Sequence, residues 1–368
     1  MNEKTQPCTH CGAVHPRVNL TWMGSAELCP ECLQRYTVCC DCCGERIWMA
    51  NDYGTHYLHL CASCRADNYV TCENCGALIT REDAHYNDEN EAYCDSCYER
   101  GYGGTIHNYS YKPEPIFYGD GPLYLGVELE VDEAGKDNIN AAQALRVFNQ
   151  ENVYGYVKSD GSLNDGFELV THPCTLETHL QRVPWRETLE ALRGMGYRSH
   201  APGTCGLHVH VSRKALGKDV YEQEETIAKL LYIFERFWQE ILRFSRRTES
   251  QINHWAARYG YKDRGEEILK EAKHGANGRY ACINLTNTDT IEFRVFRGTL
   301  KYNTVIATLQ FVANLCRVAI SLPEYRIQEF SWPALIEALT QDNCPELVQY
   351  LKERNLYVNE PVTAEREV

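Results

Sequence analysis

Cysteine spacing constrains this chain more than any other feature. Fourteen of its 19 cysteines fall within residues 8–97, nearly all in C-x-x-C pairs. The pairs Cys8/Cys11, Cys40/Cys43 and Cys72/Cys75 are each followed by a glycine, and Gly12, Gly44 and Gly76 stand 32 residues apart. Closing pairs follow at Cys29/Cys32, Cys61/Cys64 and Cys94/Cys97, across loops of 17, 17 and 18 residues. Two C-x-x-C pairs roughly 15–20 residues apart form the zinc-ribbon spacing, in which four thiolates surround Zn²⁺ tetrahedrally. A piece of roughly thirty residues cannot bury a core of its own, so metal must supply much of its folding energy. Three structural zinc modules are therefore expected, at about 8–32, 40–64 and 72–97, with three Zn²⁺ between them. Around Cys39, Cys40, Cys42 and Cys43 two registers compete, and the one starting at Cys40 aligns its glycine with those of the other repeats. Sequential and cross-braced pairings of the knuckles use the same cysteines, and both stay open. The other five, Cys174, Cys205, Cys282, Cys316 and Cys344, read as small buried hydrophobes.

Charge narrows the role of these modules. Residues 1–100 hold 7 Lys and Arg against 15 Asp and Glu, and the whole chain carries a net charge of −14. Nucleic-acid binding needs a basic footprint, so a structural or protein-docking role is expected instead. The acidic balance does not exclude a nucleotide, because Mg²⁺ masks carboxylates locally. The start, MNEKTQPCTHCG, has no apolar stretch suited to a signal peptide. No run of about 18 apolar residues stands out, so neither export nor a membrane span is expected, and the setting read from the sequence is cytoplasmic.

Residues 101–122 are rich in Gly, Tyr and Pro and read as a linker. Beyond it, strand and helix patterns alternate. Leu123, Leu125, Val127, Leu129 and Val131 mark a period-2 strand. Further strands are expected at 167–171, 207–211, 280–285 and 291–296. Helices are expected at 139–149, over 175–194 with an interruption at Pro184, over a long stretch containing Ile227 to Ile241, and at 303–321, 333–340 and 345–354. These elements predict an α+β domain at 123–322, a sheet covered by helices, with a helical extension at 323–368.

The same strands carry the ionisable residues. Period 2 places Glu128 with Glu130 on one face, His208 with His210, and Glu292 with Arg294. Each pair alone is what any half-exposed strand would show. Together, the series GVELE (126–130), SDGSL (159–163), GFELVTHP (166–173), CGLHVHVS (205–212), GRYACINL (278–285) and IEFRVFRG (291–298) resembles the amidoligase family, relatives of glutamine synthetase and glutamate–cysteine ligase. The resemblance spans about residues 121–310. It implies a curved antiparallel sheet that cradles ATP and two or more Mg²⁺, and an ATP-dependent joining of a carboxylate to an amine through an acyl phosphate. By the same resemblance Glu128, Glu130, Glu168, His208 and Glu292 match metal ligands and Arg294 a phosphate-binding arginine. His210, Arg297 and Asp160 match motif positions at the catalytic centre, and Arg279 one on the nucleotide side. No residue matches the base that deprotonates the amine. Two alternatives stay open: an adaptor carrying an inactive ligase-like domain, and a related phosphotransferase. The modules leave room for a docked protein partner.

Overall fold

The computed structural model describes residues 5–87, 90–99, 104–274 and 278–358. The chain divides into two compact units, residues 1–104 and 105–368. In the first unit every repeat opens with a two-stranded antiparallel hairpin bearing its first cysteine pair. These hairpins join Thr5–Pro7 to Val14–Pro16, Thr37–Cys39 to Arg46–Trp48, and Tyr69–Thr71 to Leu78–Thr80. Gly12, Gly44 and Gly76 have φ of +74°, +75° and +70°, a conformation that a Cβ resists and that explains glycine at this fixed offset. The closing pair does not lie on a ribbon strand. Cys29 and Cys61 are the N-caps of helices Pro30–Tyr36 and Ala62–Asn68, and Cys94 immediately precedes helix Asp95–Glu99. Apolar content is slight: Leu28 packs on Cys8, Cys29 and Cys32, Leu60 on Cys40 and Cys61, and Tyr93 on Cys72 and Cys97.

The second unit is built on one sheet. Its strands are β1 (Ile106–His107), β2 (Tyr124–Val131), β3 (Gly155–Lys158), β4 (Phe167–Thr171), β5 (Cys174–Thr175), β6 (Leu207–Ser212), β7 (Ile283–Asn284) and β8 (Thr290–Phe293). They lie in the order β1-β3-β4-β2-β6-β8-β7, with β5 also paired to β2. Every pairing is antiparallel except β1 with β3. The sheet is thus mixed, and β1 falls within the segment whose composition suggested a linker. The strand expected over 280–285 shortens to β7. Its end is set by Asn284, whose Oδ1 accepts from the amide of Thr286 at 2.9 Å and from its hydroxyl at 2.8 Å, a local turn that competes with the ladder.

One face of the sheet is apolar. Leu125, Val127, Leu129, Val157, Leu169, Val209, Val211 and Phe293 are all fully buried in one core with the helices. Helix Asn138–Phe148 starts at Asp137, whose carboxylate accepts from the amides of Ile139 and Asn140 at 2.7 and 3.0 Å. The stretch 175–194 divides into helices Leu176–Gln181 and Trp185–Gly194 on either side of Pro184. The long stretch is likewise two helices, Val220–Arg236 and Trp238–Ser245, broken at Phe237. Tyr302–Ser321 is long and apolar enough to cross a membrane, contrary to the expectation that no such run exists, but most of its side chains lie inside the core. Trp332–Leu339 and Pro345–Glu353 contribute Leu335, Leu347 and Leu351 to that same core.

Candidate active site

The opposite face of the sheet is polar, and strand register assembles it. Glu130 lies across from Glu168, and Glu128 across from His208. His210 lies across from Glu292, which in turn faces Asn284. On the other side Lys158 is opposite Glu168. Side chains from β3, β4, β2, β6 and β8 thereby meet in one row. His208 Nδ1 lies 3.3 Å from Glu128 Oε2, 3.8 Å from Glu130 Oε1 and 3.6 Å from Glu292 Oε1. His210 Nε2 lies 3.1 Å from Glu128 Oε1. Glu128, Glu168 and His208 form one group of potential ligand atoms mutually within 4.8 Å, and Glu128, His210 and Glu292 form another.

Burial sets the electrostatics. Glu130, Glu168, His208 and Glu292 form a closed floor, whereas Glu128 and His210 keep 18% and 20% of their side-chain surface in solvent. The cluster therefore opens to solvent at those two. Burial pushes the Glu168 carboxyl well above its usual range, the charge of Glu128 adds to this, and Lys158, 3.2 Å away, only partly offsets it. Glu130 is also raised, by burial first and then by Asp160, against the fields of His208 and Arg247 and the amide of Gly206 that it accepts from. For Glu128 burial acts upward too, but His210 and His208 outweigh it and hold the carboxyl well below the carboxylate range. Glu292 behaves likewise, with His210, His208 and Arg294 outweighing burial. Carboxylates so crowded that one is driven toward its neutral form are a donor set suited to divalent cations. Gly206 permits the crowding: a Cβ there would collide with the His208 ring and lie 2.9 Å from Arg247 Nη2.

Not every candidate joins the cluster. Arg294 does, donating to Glu292. Asp160 stands beside it, its Oδ1 accepting from the amide of Ser162 at 2.7 Å and its charge acting on Glu130. Arg297 lies toward Arg247 and His200, where its charge adds to the burial that chiefly lowers the pKa of both. Arg279 is exposed, lying over the rings of Tyr109 and Tyr280 and donating to both hydroxyls. Three residues at the cluster escaped the sequence reading. They are Lys158, the buried Arg247, and Asn284, whose Nδ2 donates to Glu292 Oε2 at 2.8 Å. Lys158 stands one residue before the SDGSL run, two positions from Tyr156, and period 2 could have found it.

In the first unit three four-thiol groups gather: Cys8, Cys11, Cys29 and Cys32; Cys40, Cys43, Cys61 and Cys64; Cys72, Cys75, Cys94 and Cys97. Knuckles pair sequentially, and Cys39 and Cys42 stand outside. Cys11–Cys29, Cys43–Cys61 and Cys75–Cys94 sulfurs are each 3.8 Å apart. A tetrahedron of Zn–S bonds near 2.3 Å has edges of about 3.8 Å, far from the bond length of a disulfide. Cys8, Cys40 and Cys72 thiols are lowered to about 6, because backbone amides donating to the sulfur outweigh the burial that raises them, whereas Cys32 is raised by burial and its neighbouring thiols and Cys64 by its neighbouring thiols and burial. Thiolates are what Zn²⁺ takes.

Residues 146–316 match a family model described as "Putative amidoligase enzyme". No curated protein matches the sequence. Among solved structures, the chain is similar to a bifunctional glutathione synthetase from Pasteurella multocida, at 15% identity and a TM-score of 0.31, over 63% of this chain. It spans 46% of that protein's length.

Proposed function

We propose that the unit 105–368 is an ATP-dependent carboxylate–amine ligase of the amidoligase type. The convergence of Glu128, Glu130, Glu168, His208, His210 and Glu292 on one sheet face carries the reading. The family match over 146–316 supports it. Glu128, Glu130, Glu168, His208 and Glu292 would hold two or more Mg²⁺, which supply charge neutralisation for phosphoryl transfer. Arg294 offers the bidentate fork for phosphate oxygens, and Lys158 adds a point charge. The floor is closed, so positive groups act there with little screening by water.

A carboxylate has a poor leaving group and does not condense with an amine unaided. In the proposed sequence a carboxylate oxygen of the substrate attacks the γ-phosphorus of ATP, and ADP leaves. The amine nitrogen then attacks the acyl carbon, inorganic phosphate leaves with the carbon–oxygen electron pair, and the nitrogen loses a proton. The protein's part is positioning and charge stabilisation. The three four-thiol groups are proposed as structural Zn²⁺ sites, since four cysteines leave no open coordination position. A cytoplasmic setting suits their reduced thiols.

The test uses the full chain with Mg–ATP and panels of carboxylates and amines. ADP release that requires both co-substrates supports the ligase. Release with a carboxylate alone and no amide product indicates a phosphotransferase, and no turnover with any pair indicates an inactive adaptor.

A further inference from the structure

Beside the acidic face, the same unit concentrates positive charge. Three adjoining hollows of about 440, 420 and 590 Å³ all border His200 and share walls from Arg193, Arg246 and Arg354. Seven arginines and lysines line them against two carboxylates, Glu190 and Glu353. Glu353 is already paired with Lys301 at 2.7 Å. In a chain with 51 acidic and 37 basic residues, this segregation runs against the average composition.

Several details show that the charge is held in place. Arg247 lines the second hollow, is 6% exposed, and leaves Nε and Nη1 without a hydrogen-bond partner among the described residues. Burial lowers its pKa to about 10, a desolvation cost that an anionic ligand would offset. Arg246 follows helix Trp238–Ser245 with φ +67°, a left-handed position where glycine is favoured and a side chain is strained. Its guanidinium donates to the carbonyls of Gly298 and Arg297, while its Nε is buried without a partner. Arg354 donates through Nε and Nη2 to the Arg243 carbonyl at 3.1 and 2.8 Å, which fixes its direction. Arg193 ion-pairs with no carboxylate among the described residues. It stands exposed in the last turn of helix Trp185–Gly194.

Arg247 also connects the hollows to the acidic face. Its field acts on Glu130, and its Nη2 is the atom that Gly206 must make room for beside His208. Arg247 thus borders the second hollow, which it shares with Arg246 and Arg354, while acting on Glu130 in the cluster. Cations spread over three hollows suit separated negative charges better than one compact phosphate, because each planar guanidinium can take its own carboxylate.

We propose that the cleft formed by Arg193, His200, Arg246, Arg247 and Arg354 binds the carboxylate co-substrate through its additional negative charges, so that this substrate is a polycarboxylate such as an acidic peptide. The assignment rests on the ligase reading for the word substrate, but the binding itself can be measured without turnover. Tri-glutamate, citrate and pyrophosphate are titrated calorimetrically into the full zinc-loaded chain, with Arg193→Ala and Arg246→Gly alongside. Arg193 is exposed, so its replacement leaves the fold intact. Arg246→Gly relieves the left-handed backbone but gives up the contacts to the Gly298 and Arg297 carbonyls, so melting temperatures are recorded for both and Arg193→Ala decides where Arg246→Gly is destabilised. Loss of a charge-assisted contact should weaken tri-glutamate binding about tenfold or more in each variant, with Mg–ATP affinity unaltered. Unchanged tri-glutamate affinity in both variants would overturn the proposal. Pyrophosphate binding that both variants lose, without tri-glutamate binding, would overturn it too by assigning the cleft to phosphates. Failure of the ligase reading shows separately, as tri-glutamate binding that persists while no amine supports ADP release.

Discussion

Glu128→Gln tests the metal assignment most directly, because Glu128 belongs to both ligand groups and stands at the solvent opening. Glutamine keeps the volume and removes one of the carboxylate charges. A cation that binds only the native state at about 100 times its dissociation constant stabilises by about 2.7 kcal/mol. For a cooperative unit the size of residues 105–368, each kcal/mol raises Tm by about 2 °C, so saturating Mg²⁺ should raise the wild-type Tm by about 5 °C. If the lost charge weakens Mg²⁺ tenfold, about 1.4 kcal/mol disappears at the same concentration, and the shift falls to about 3 °C. Near-ultraviolet circular dichroism of the full chain follows the transition. Mg²⁺ should be removed by dialysis, since a strong chelator would also strip the thiolate sites. Equal shifts in both proteins, or a wild-type chain indifferent to Mg²⁺ and Mn²⁺, would refute the assignment of this face to metal.

Other outcomes follow from particular contacts. Purified protein should contain about three zinc ions per chain, falling to about two in Cys40→Ser and staying at about three in Cys39→Ser and Cys42→Ser, as read by elemental analysis. Arg294→Lys should cost at least about 10² in kcat, because a point charge replaces a fork, with circular dichroism unchanged. His179 is fixed as a neutral imidazole: Trp185 Nε1 donates to its Nδ1 at 3.3 Å, and its Nε2 faces the Leu125 carbonyl at 3.0 Å. Burial lowers its pKa to about 4, against the upward effect of that carbonyl. The unfolded chain binds this proton first, so stability should fall as pH drops from about 6.5 to about 4, by up to about 3 kcal/mol. His179→Gln supplies one acceptor and one donor without titrating, and its urea midpoint should be flatter across that window.

Parity along strands is why so much of the site was legible. Once β2, β6 and β8 are strands, Glu128 and Glu130 must share a face, as must His208 with His210 and Glu292 with Arg294. Residues 167–171 and the helix beginning near 303 were similarly readable, the first from Phe167, Leu169 and Val170 after a turn and the second from its length and largely apolar content. Lys158 was missed because β3 is only four residues long, so the alternation of Tyr156 and Lys158 is a single repeat that is easily passed over. Arg247 follows a helix end and acquires meaning only through burial. The break at Phe237 was invisible because apolar residues keep their i, i+4 rhythm across it, and the amide of Ile241 still reaches the Phe237 carbonyl at 2.9 Å. The basic cleft has no motif at all: Arg193, Arg246 and Arg354 come from segments far apart in the chain, which only the folded core brings together.

The pairing of Glu130 with Glu168 and of Glu128 with His208 makes the two faces of the sheet inseparable. Slipping β2 by one residue would turn Leu125, Val127 and Leu129 outward and drive the carboxylates of Glu128 and Glu130 into the hydrocarbon interior. An insertion or deletion of a single residue within β2, β4 or β6 is therefore barred for packing reasons before chemistry is considered. The loops joining these strands carry no such restriction, and descendants of this chain can change length only there. Divergence in what this unit binds should then be written in the connections that rim the sheet, while its strands keep their length.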